Sequence, residues 1–190
     1  MKYFDRLLRV WRFKKADKHV PYQSTILDIG AFDGYFFRKI EYKLKYGIGI
    51  EPLLNTDVVR SNNYVIYKDT FPDTEVDLTS YHFNVITMLA VLEHILPEKQ
   101  KILSKKCHDL LTNDGIIIIT VPSKIVDRII DVLKFFKVIH GMSDEQHYGF
   151  NPNEVFKIFC EPNFTLIHTI KFQLGLNNLF IFKRNNSTTL

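Results

Sequence analysis

Thr25-Ile-Leu-Asp-Ile-Gly-Ala-Phe-Asp-Gly-Tyr-Phe36 decides the fold of this 190-residue chain. Leu27 and Ile29 flank Asp28 in a short apolar run, as in a buried strand. Gly30 and Gly34 then bracket a tight turn, and Tyr35 to Lys45 carries Phe36, Phe37, Ile40 and Leu44 at near-helical spacing. Glycines at such a turn allow positive φ and let the backbone approach a ligand closely. The helix start presents unpaired N–H groups to whatever lies above it. Tyr46-Gly-Ile-Gly-Ile50 reads as the next strand and ends on Glu51. An acid about twenty residues beyond a glycine turn, at the tip of the following strand, is placed to grip ribose hydroxyls. The pattern points to a nucleoside-containing cofactor.

The turn itself narrows the choice. A dinucleotide site needs a second glycine in the loop so that a pyrophosphate can lie against the backbone, and Phe32 stands there instead. Asp28, just before the turn, adds negative charge where phosphates would sit. S-adenosylmethionine has no phosphate, carries a sulfonium and an ammonium, and is favoured by a nearby carboxylate.

On Leu27-Asp-Ile-Gly-Ala-Phe-Asp-Gly34 and Gly49-Ile-Glu-Pro52 the sequence resembles the class I S-adenosylmethionine-dependent methyltransferases. Two later segments carry the same resemblance. Phe83-Asn-Val-Ile-Thr-Met-Leu-Ala-Val-Leu-Glu-His-Ile95 looks like that family's fourth strand with its Leu-Glu-His turn, a form found in its small-molecule branch. Leu110-Leu-Thr-Asn-Asp-Gly-Ile-Ile-Ile-Ile-Thr-Val-Pro122 looks like a helix end, turn and fifth strand. The four segments stand in the family's order across residues 25 to 183. The chain departs from relatives with a Gly-Cys-Gly-like loop, because Ala31-Phe32-Asp33 fills that place.

The periodicity supports an α/β fold. Strands at 25–29, 46–50, 64–67, 83–88 and 115–121 alternate with helices at 35–45, 54–61, 97–111 and 123–136, and residues 69 to 81 read as an irregular loop. Alternation of this kind implies a parallel sheet covered on both faces. After a helix near 152–160, strands at 164–173 and 179–183 are separated by Gly175 and Asn177-Asn178, a hairpin signature. The expected architecture is Rossmann-like: a mostly parallel seven-stranded sheet ending in an antiparallel hairpin. The chain divides into an N-terminal arm and linker (1–24), a methyltransferase domain (25–184) and a tail (185–190).

Composition sets the outer bounds. The length suits one domain with a sizeable core, and no apolar run reaches the length of a membrane span or forms a signal peptide. Cys107 and Cys160 make neither a disulfide framework nor a zinc cluster, and both read as small buried apolar groups in a reducing cytoplasm. The histidines show no metal spacing. The net charge of +4 is concentrated in residues 1 to 15, where six basic residues face one acid, Asp5. The remainder leaves no broad footprint for nucleic acid. Phe4, Leu7, Leu8 and Trp11 recur at helical spacing on that segment, which reads as a basic amphipathic helix. It either packs over the domain with its charges solvated or makes weak contact with a membrane surface or acidic partner. The resemblance adds a third role, capping the cofactor pocket.

Ligands of open parallel sheets bind at the carboxyl ends of the strands. Asp28, inside an apolar strand, must find donors in the loop or in the cofactor's ammonium. Glu51 is assigned to the ribose, and Gly30 and Gly34 to the turn. The resemblance places Asp69 and Thr70 beside adenine and Leu89 near the methionine portion. Each has a plainer role as well, in a turn, a cap or the core. A general base is needed only if the methyl acceptor must lose a proton. His147, in Asp144-Glu-Gln-His-Tyr-Gly-Phe-Asn-Pro152, matches a histidine that relatives place before a short helix over the acceptor pocket. His94 is the second candidate, and Tyr148 could shape the pocket.

The resemblance implies transfer of a methyl group from S-adenosylmethionine, leaving S-adenosylhomocysteine, to a small-molecule acceptor at oxygen, without a metal. The alternatives are a nucleotide-cofactor oxidoreductase of NAD type and a cofactor-binding subunit without turnover.

Overall fold

The computed structural model describes residues 2–123 and 151–186. Among these residues eight strands form one sheet in the order β3-β4-β2-β1-β5-β6-β8-β7. Their bounds are β1 Ser24–Ile29, β2 Leu44–Ile50, β3 Val58–Arg60, β4 Tyr64–Tyr67, β5 Phe83–Leu89, β6 Leu111–Pro122, β7 Phe164–Phe172 and β8 Asn177–Arg184. Strands β4, β2, β1, β5 and β6 run parallel, whereas β3 pairs antiparallel with β4 and β7 and β8 close the other edge as an antiparallel hairpin.

Alternation along β1 sends Leu27 and Ile29 to one face and Ile26 to the other. On the first face they meet Leu103 and Cys107 of α3 (Pro97–Leu110) and Val155 of α4 (Val155–Ile158). On the second, Ile26 packs with Phe36 and Phe37 of α2 (Tyr35–Lys39) and Ala16 of α1 (Lys2–Asp17). Helices thus cover both faces, as a parallel sheet requires. The chain moves outward from β1 through β2 to β4, then returns to the other side of β1 as β5. That reversal opens a crevice above the carboxyl ends of β1, β2 and β5.

Several local expectations are corrected. Residues 54–61 do not form a helix: Val58–Arg60 pairs with β4, with Val59 opposite Ile66, and supplies an eighth strand. The apolar spacing of Leu54 and Val58 fits a helix, but the β-branched pair Val58-Val59 between runs of turn-forming Asn, Thr, Asp and Ser favours an edge strand. The helix from Tyr35 ends at Lys39, a 3-10 turn follows at Glu41–Lys43, and Leu44 already opens β2. All four apolar residues of that stretch are buried, so the period marked the face correctly and the length wrongly. Gly47 makes the short helix fit closely, since a Cβ there would lie 2.7 Å from the Phe37 ring. In the hairpin, Asn177 and Asn178 belong to β8, and the turn is Gln173–Leu176, with Gln173 and Leu174 at φ 53° and 57°. Cys107 is buried as expected, but Cys160 is exposed. Ser123 is not helical, and the rest of the helix expected at 123–136 lies outside the described residues, as do His147 and Tyr148.

The helix α1 is part of the packed structure. Ala16 and Val20 are buried, and Phe13 stands 5.3 Å from the Phe36 ring. Lys43 pairs with Asp17 at 3.0 Å, and the Leu8 carbonyl accepts from Gln173 at 2.7 Å. Leu7 and Trp11, counted in the sequence as part of the packing stripe, face outward at 58% and 44% exposure. Arg9 turns inward instead, its guanidinium 5.2 Å from the Phe32 ring and 5.5 Å from that of Tyr35.

Candidate functional site

A cleft of about 700 Å³ lies above the carboxyl ends of β1, β2 and β5. One wall is Ile29, Gly30 and Phe32; the floor passes through Glu51, Pro52 and Leu53; the far wall is Leu89, Ala90 and Val91. Thr70 and Phe71 close one end, and His94 and Ile95 lie toward the other strand tip. A smaller chamber of about 90 Å³ adjoins it, sharing Gly30, Phe32 and Leu89 and bounded by Asp28, Arg9 and Arg12.

Glu51 is buried at the tip of β2. Its Oε2 accepts from the Phe32 N–H at 2.8 Å and its Oε1 from the Leu53 N–H at 2.9 Å. Each carboxylate oxygen retains further acceptor capacity, so the acid can fix the loop and still receive ribose hydroxyls. Gly30 has φ +78°, and a Cβ there would lie 2.3 Å from Cγ2 of Val91, so the β1 turn and the β5 turn touch through this glycine. Gly34, at φ +75°, sits behind the cleft against Tyr64 and Ile66 and starts α2.

Most of the loop amides are already used. Gly30 and Ala31 donate to the Ile50 carbonyl, Phe32 to Glu51, Gly34 to Ala31, and Tyr35 to the Asp33 carboxylate. Five amides of the turn and helix start are thus engaged within the protein, which leaves a pyrophosphate fewer donors there than a dinucleotide loop offers. A dinucleotide fits this turn poorly.

Asp28 is buried between β2 and β5, where Thr87 donates to its Oδ1 at 2.6 Å. Burial pushes its pKa up to about 7; the Thr87 hydrogen bond opposes the shift and Glu51 reinforces it. A cationic group beside Asp28 would restore its charge. Glu93, in the 3-10 turn Leu92–His94, is also buried and pushed up to about 7 by desolvation, with Arg12 pulling the other way. His94 is exposed at the cleft rim.

Asp69 and Thr70 separate in role. Thr70 lines the cleft. The Asp69 carboxylate serves its own turn, accepting from Thr70 N–H at 2.7 Å, Thr74 hydroxyl at 2.6 Å and Glu75 N–H at 2.9 Å. Partial burial pushes its pKa up, but these bonds outweigh it and hold the group below the usual range. Leu89 ends β5 on the wall shared by both cavities. Among the described residues no group of three or more His, Cys, Asp and Glu stands together as metal ligands, and no helix is long and apolar enough to cross a membrane.

Arg9, Arg12, Phe71, Ala90, Val91 and Ile95 also border the site, and sequence reasoning did not single them out. Arg9 and Arg12 share the helix face of Phe13 and Ala16, and that three- and four-residue spacing was the available signal.

A family model described as a methyltransferase domain matches residues 2–169. Among solved structures, the plantazolicin methyltransferase BpumL in complex with SAH is similar at a TM-score of 0.68 and 14% identity, over 97% of this chain and 88% of its own. NodS, an N-methyltransferase from Bradyrhizobium japonicum WM9 in complex with S-adenosyl-L-homocysteine, gives 0.65 and 14%, over 96% and 87%. The 1,6-didemethyltoxoflavin-N1-methyltransferase of Burkholderia thailandensis gives 0.64 and 13%, over 93% and 81%. At these identities the likeness is one of fold. Compared with curated protein sequences, the chain finds no match.

Proposed function

This chain belongs to the methyltransferase-domain family, and we propose that it transfers a methyl group from S-adenosylmethionine to a small molecule. The observation that carries the cofactor choice is the Glu51 carboxylate, buried at the tip of β2 and bonded to the loop amide that a phosphate would need. The residues fit the group along its length. Thr70, Phe71 and Leu53 line one end of the cleft where adenine would lie, Glu51 can accept from the ribose, and the buried Asp28 suits an ammonium. S-adenosylhomocysteine is present in the solved structures of BpumL and NodS, which supports the same choice here.

When bound, the cofactor supplies a methyl group already activated by its sulfonium. The protein's task is then alignment, which contributes as much as about 7–11 kcal/mol in favourable systems. Glu51 and the Gly30 turn fix one reactant, and the Ala90–Val91 turn, held by the Ala90 N–H on the Thr120 carbonyl at 2.9 Å, forms the facing wall. Apolar Leu89, Val91 and Ile95 line the space between.

The acceptor's attacking atom is oxygen or nitrogen. The sequence favoured oxygen, whereas NodS and the Burkholderia protein are N-methyltransferases by name. His94 at the rim and His147 remain our proposed bases for an acceptor that must lose a proton. We place the enzyme in a reducing, cytoplasmic setting because its two cysteines stand unpaired.

Incubation with methyl-labelled S-adenosylmethionine and a panel of small hydroxyl and amine metabolites tests the assignment. Label should pass to an acceptor, and S-adenosylhomocysteine at about a hundred times its Kd should stabilise the fold by about 2.7 kcal/mol. Stabilisation by NAD and not by S-adenosylhomocysteine would overturn it.

A further inference from the structure

The outer face of α1 and the tip of the β7–β8 hairpin lie side by side. Gln173 donates to the Leu8 carbonyl at 2.7 Å, and the His19 and His168 rings stand 5.8 Å apart, so the helix follows β7 from the hairpin turn back toward the middle of the strand. Leu7, Trp11 and Lys14 recur on α1 at three- and four-residue spacing, which puts them on one face, and Lys18 follows just past the helix end. All four are exposed. Leu174, next to the Gln173 that holds Leu8, is 96% exposed at the hairpin turn. Arg6 precedes Leu7 and Lys171 precedes the hairpin turn, and both are exposed as well.

Large apolar side chains left in water beside charge of one sign mark a contact surface. The charge asks for an anionic partner. Asp17, at the helix end, does little to offset it, because Lys43 at 3.0 Å and the Tyr42 hydroxyl at 2.9 Å already occupy its carboxylate. A second copy of the chain is disfavoured, since a two-fold contact through this face sets Arg6, Lys14 and Lys18 against their own copies. A folded acidic protein needs about 800 Å² of matched surface, whereas projecting side chains are matched best by a medium that moulds around them. An anionic lipid layer does so. Its headgroups receive the lysines and arginine, and the apolar boundary beneath them receives tryptophan and leucine.

We propose that this surface docks the protein on anionic lipid, with Leu7, Trp11 and Leu174 entering the headgroup boundary and Arg6, Lys14, Lys18 and Lys171 lying among the headgroups. The inner face of α1 stays on the domain through Phe13 and Ala16, so the helix docks without leaving its place and the contact is shallow and reversible. None of the seven residues lines the cleft or the small chamber. The lipid surface therefore stands or falls independently of the cofactor reading.

Trp11 is the chain's single tryptophan, so its fluorescence on the full chain reads the contact directly. In buffer the emission should be red and open to quenching by acrylamide. Phosphatidylcholine vesicles containing phosphatidylserine should shift it to the blue, and acyl-chain bromination of the lipid should quench it. Phosphatidylcholine alone should leave it unchanged, and high salt should reverse the shift. Lys14→Gln should weaken vesicle binding by about fivefold, the scale of one basic residue at a charged surface. Leu174→Ser should weaken it by about tenfold, the scale of one buried leucine, with the melting temperature unchanged in both variants. An absent blue shift, or an equal shift with and without phosphatidylserine, would refute the proposal. Emission already blue and shielded in buffer would refute it too: the face is then covered by a second copy if dilution exposes Trp11, and by the chain itself if dilution does not. Binding to polyglutamate as tight as to the vesicles would overturn it in favour of an acidic protein partner.

Discussion

The backbone N–H of Phe32 donates to Oε2 of Glu51 at 2.8 Å, across nineteen residues of chain. The tip of β2 therefore fixes the shape of the turn that follows β1. With Leu53 N–H on Oε1, one carboxylate fixes the turn after β2 and ties it to the turn after β1. This makes Glu51 a structural and a ligand-binding residue at once.

Replacing it should show both roles. Glu51→Ala leaves the Phe32 and Leu53 amides without their acceptor, at a cost of about 1–3 kcal/mol for each that stays buried. The melting temperature should fall, and S-adenosylhomocysteine affinity should drop by a further 1.5–3 kcal/mol or so if the ribose bonds are lost. Denaturation and calorimetry separate the two. Unchanged affinity would show that the acid serves only the turn.

The contact between Gly30 and Val91 gives a second expectation. Gly30→Ala places a Cβ 2.3 Å from Cγ2 of Val91 and forces alanine into φ +78°. The backbone alone costs about 1–2 kcal/mol, and the overlap adds to it. Val91→Ala in the same chain should recover the steric part and leave the backbone part. No recovery in the double variant would mean the two turns are not coupled through this contact.

Much of this architecture was legible because it rests on strong patterns. The apolar runs of β1, β2, β4, β5 and β6, the glycine turn and the acid after β2 fixed the sheet and the cleft. What escaped was decided by tertiary context. Val58–Arg60 became a strand because the edge of β4 offered it partners, and residues 40–44 left the helix because the sheet needed Leu44. The local bonds of the Asp69 carboxylate to Thr70, Thr74 and Glu75 were also hidden, because they depend on how the 69–75 turn folds back. The inward turn of Arg9 was hidden because helix patterning treats arginine as solvated, whereas the Phe32 and Tyr35 rings give its guanidinium a face to lie on.

A pH dependence follows from Asp28 and Glu93. Their ordinary values of 3.8 and 4.5 rise to about 7 in the fold. Between those limits the folded state holds more protons than the unfolded chain, so stability falls as pH rises, by up to about 1.4 kcal/mol per pH unit for each group. The ligand-free protein should melt lower at pH 7.5 than at pH 5.5, and Asp28→Asn should flatten its share of that slope. An ammonium beside Asp28 would release its proton, so S-adenosylhomocysteine should bind more tightly as pH rises through 7. Equal slopes for parent and Asp28→Asn would remove Asp28 from this account.

The N-terminal helix supplies the last test, because its two faces have separate partners. Its inner face is tied to the domain by Asp17 with Lys43 at 3.0 Å and by the Leu8 carbonyl with Gln173 at 2.7 Å. Between these ties Arg9 and Arg12 border the small chamber. Its outer face shows Leu7 and Trp11 with the exposed Arg6 and Lys14, a combination suited to weak contact with an anionic lipid surface. Removing residues 1 to 15 takes away both faces while keeping Asp17, Lys43 and the core contacts of Ala16 and Val20. Cofactor affinity should fall by about tenfold or more, the scale of one charged hydrogen bond, since Arg9, Arg12 and Phe13, which border the small chamber, are removed together. Leu7→Ser with Trp11→Ser should leave cofactor affinity unchanged, because neither residue borders the cleft, and should abolish any binding to phosphatidylserine vesicles. If the truncated chain binds S-adenosylhomocysteine as tightly as the parent, α1 is not a lid, and its inward charges need another explanation.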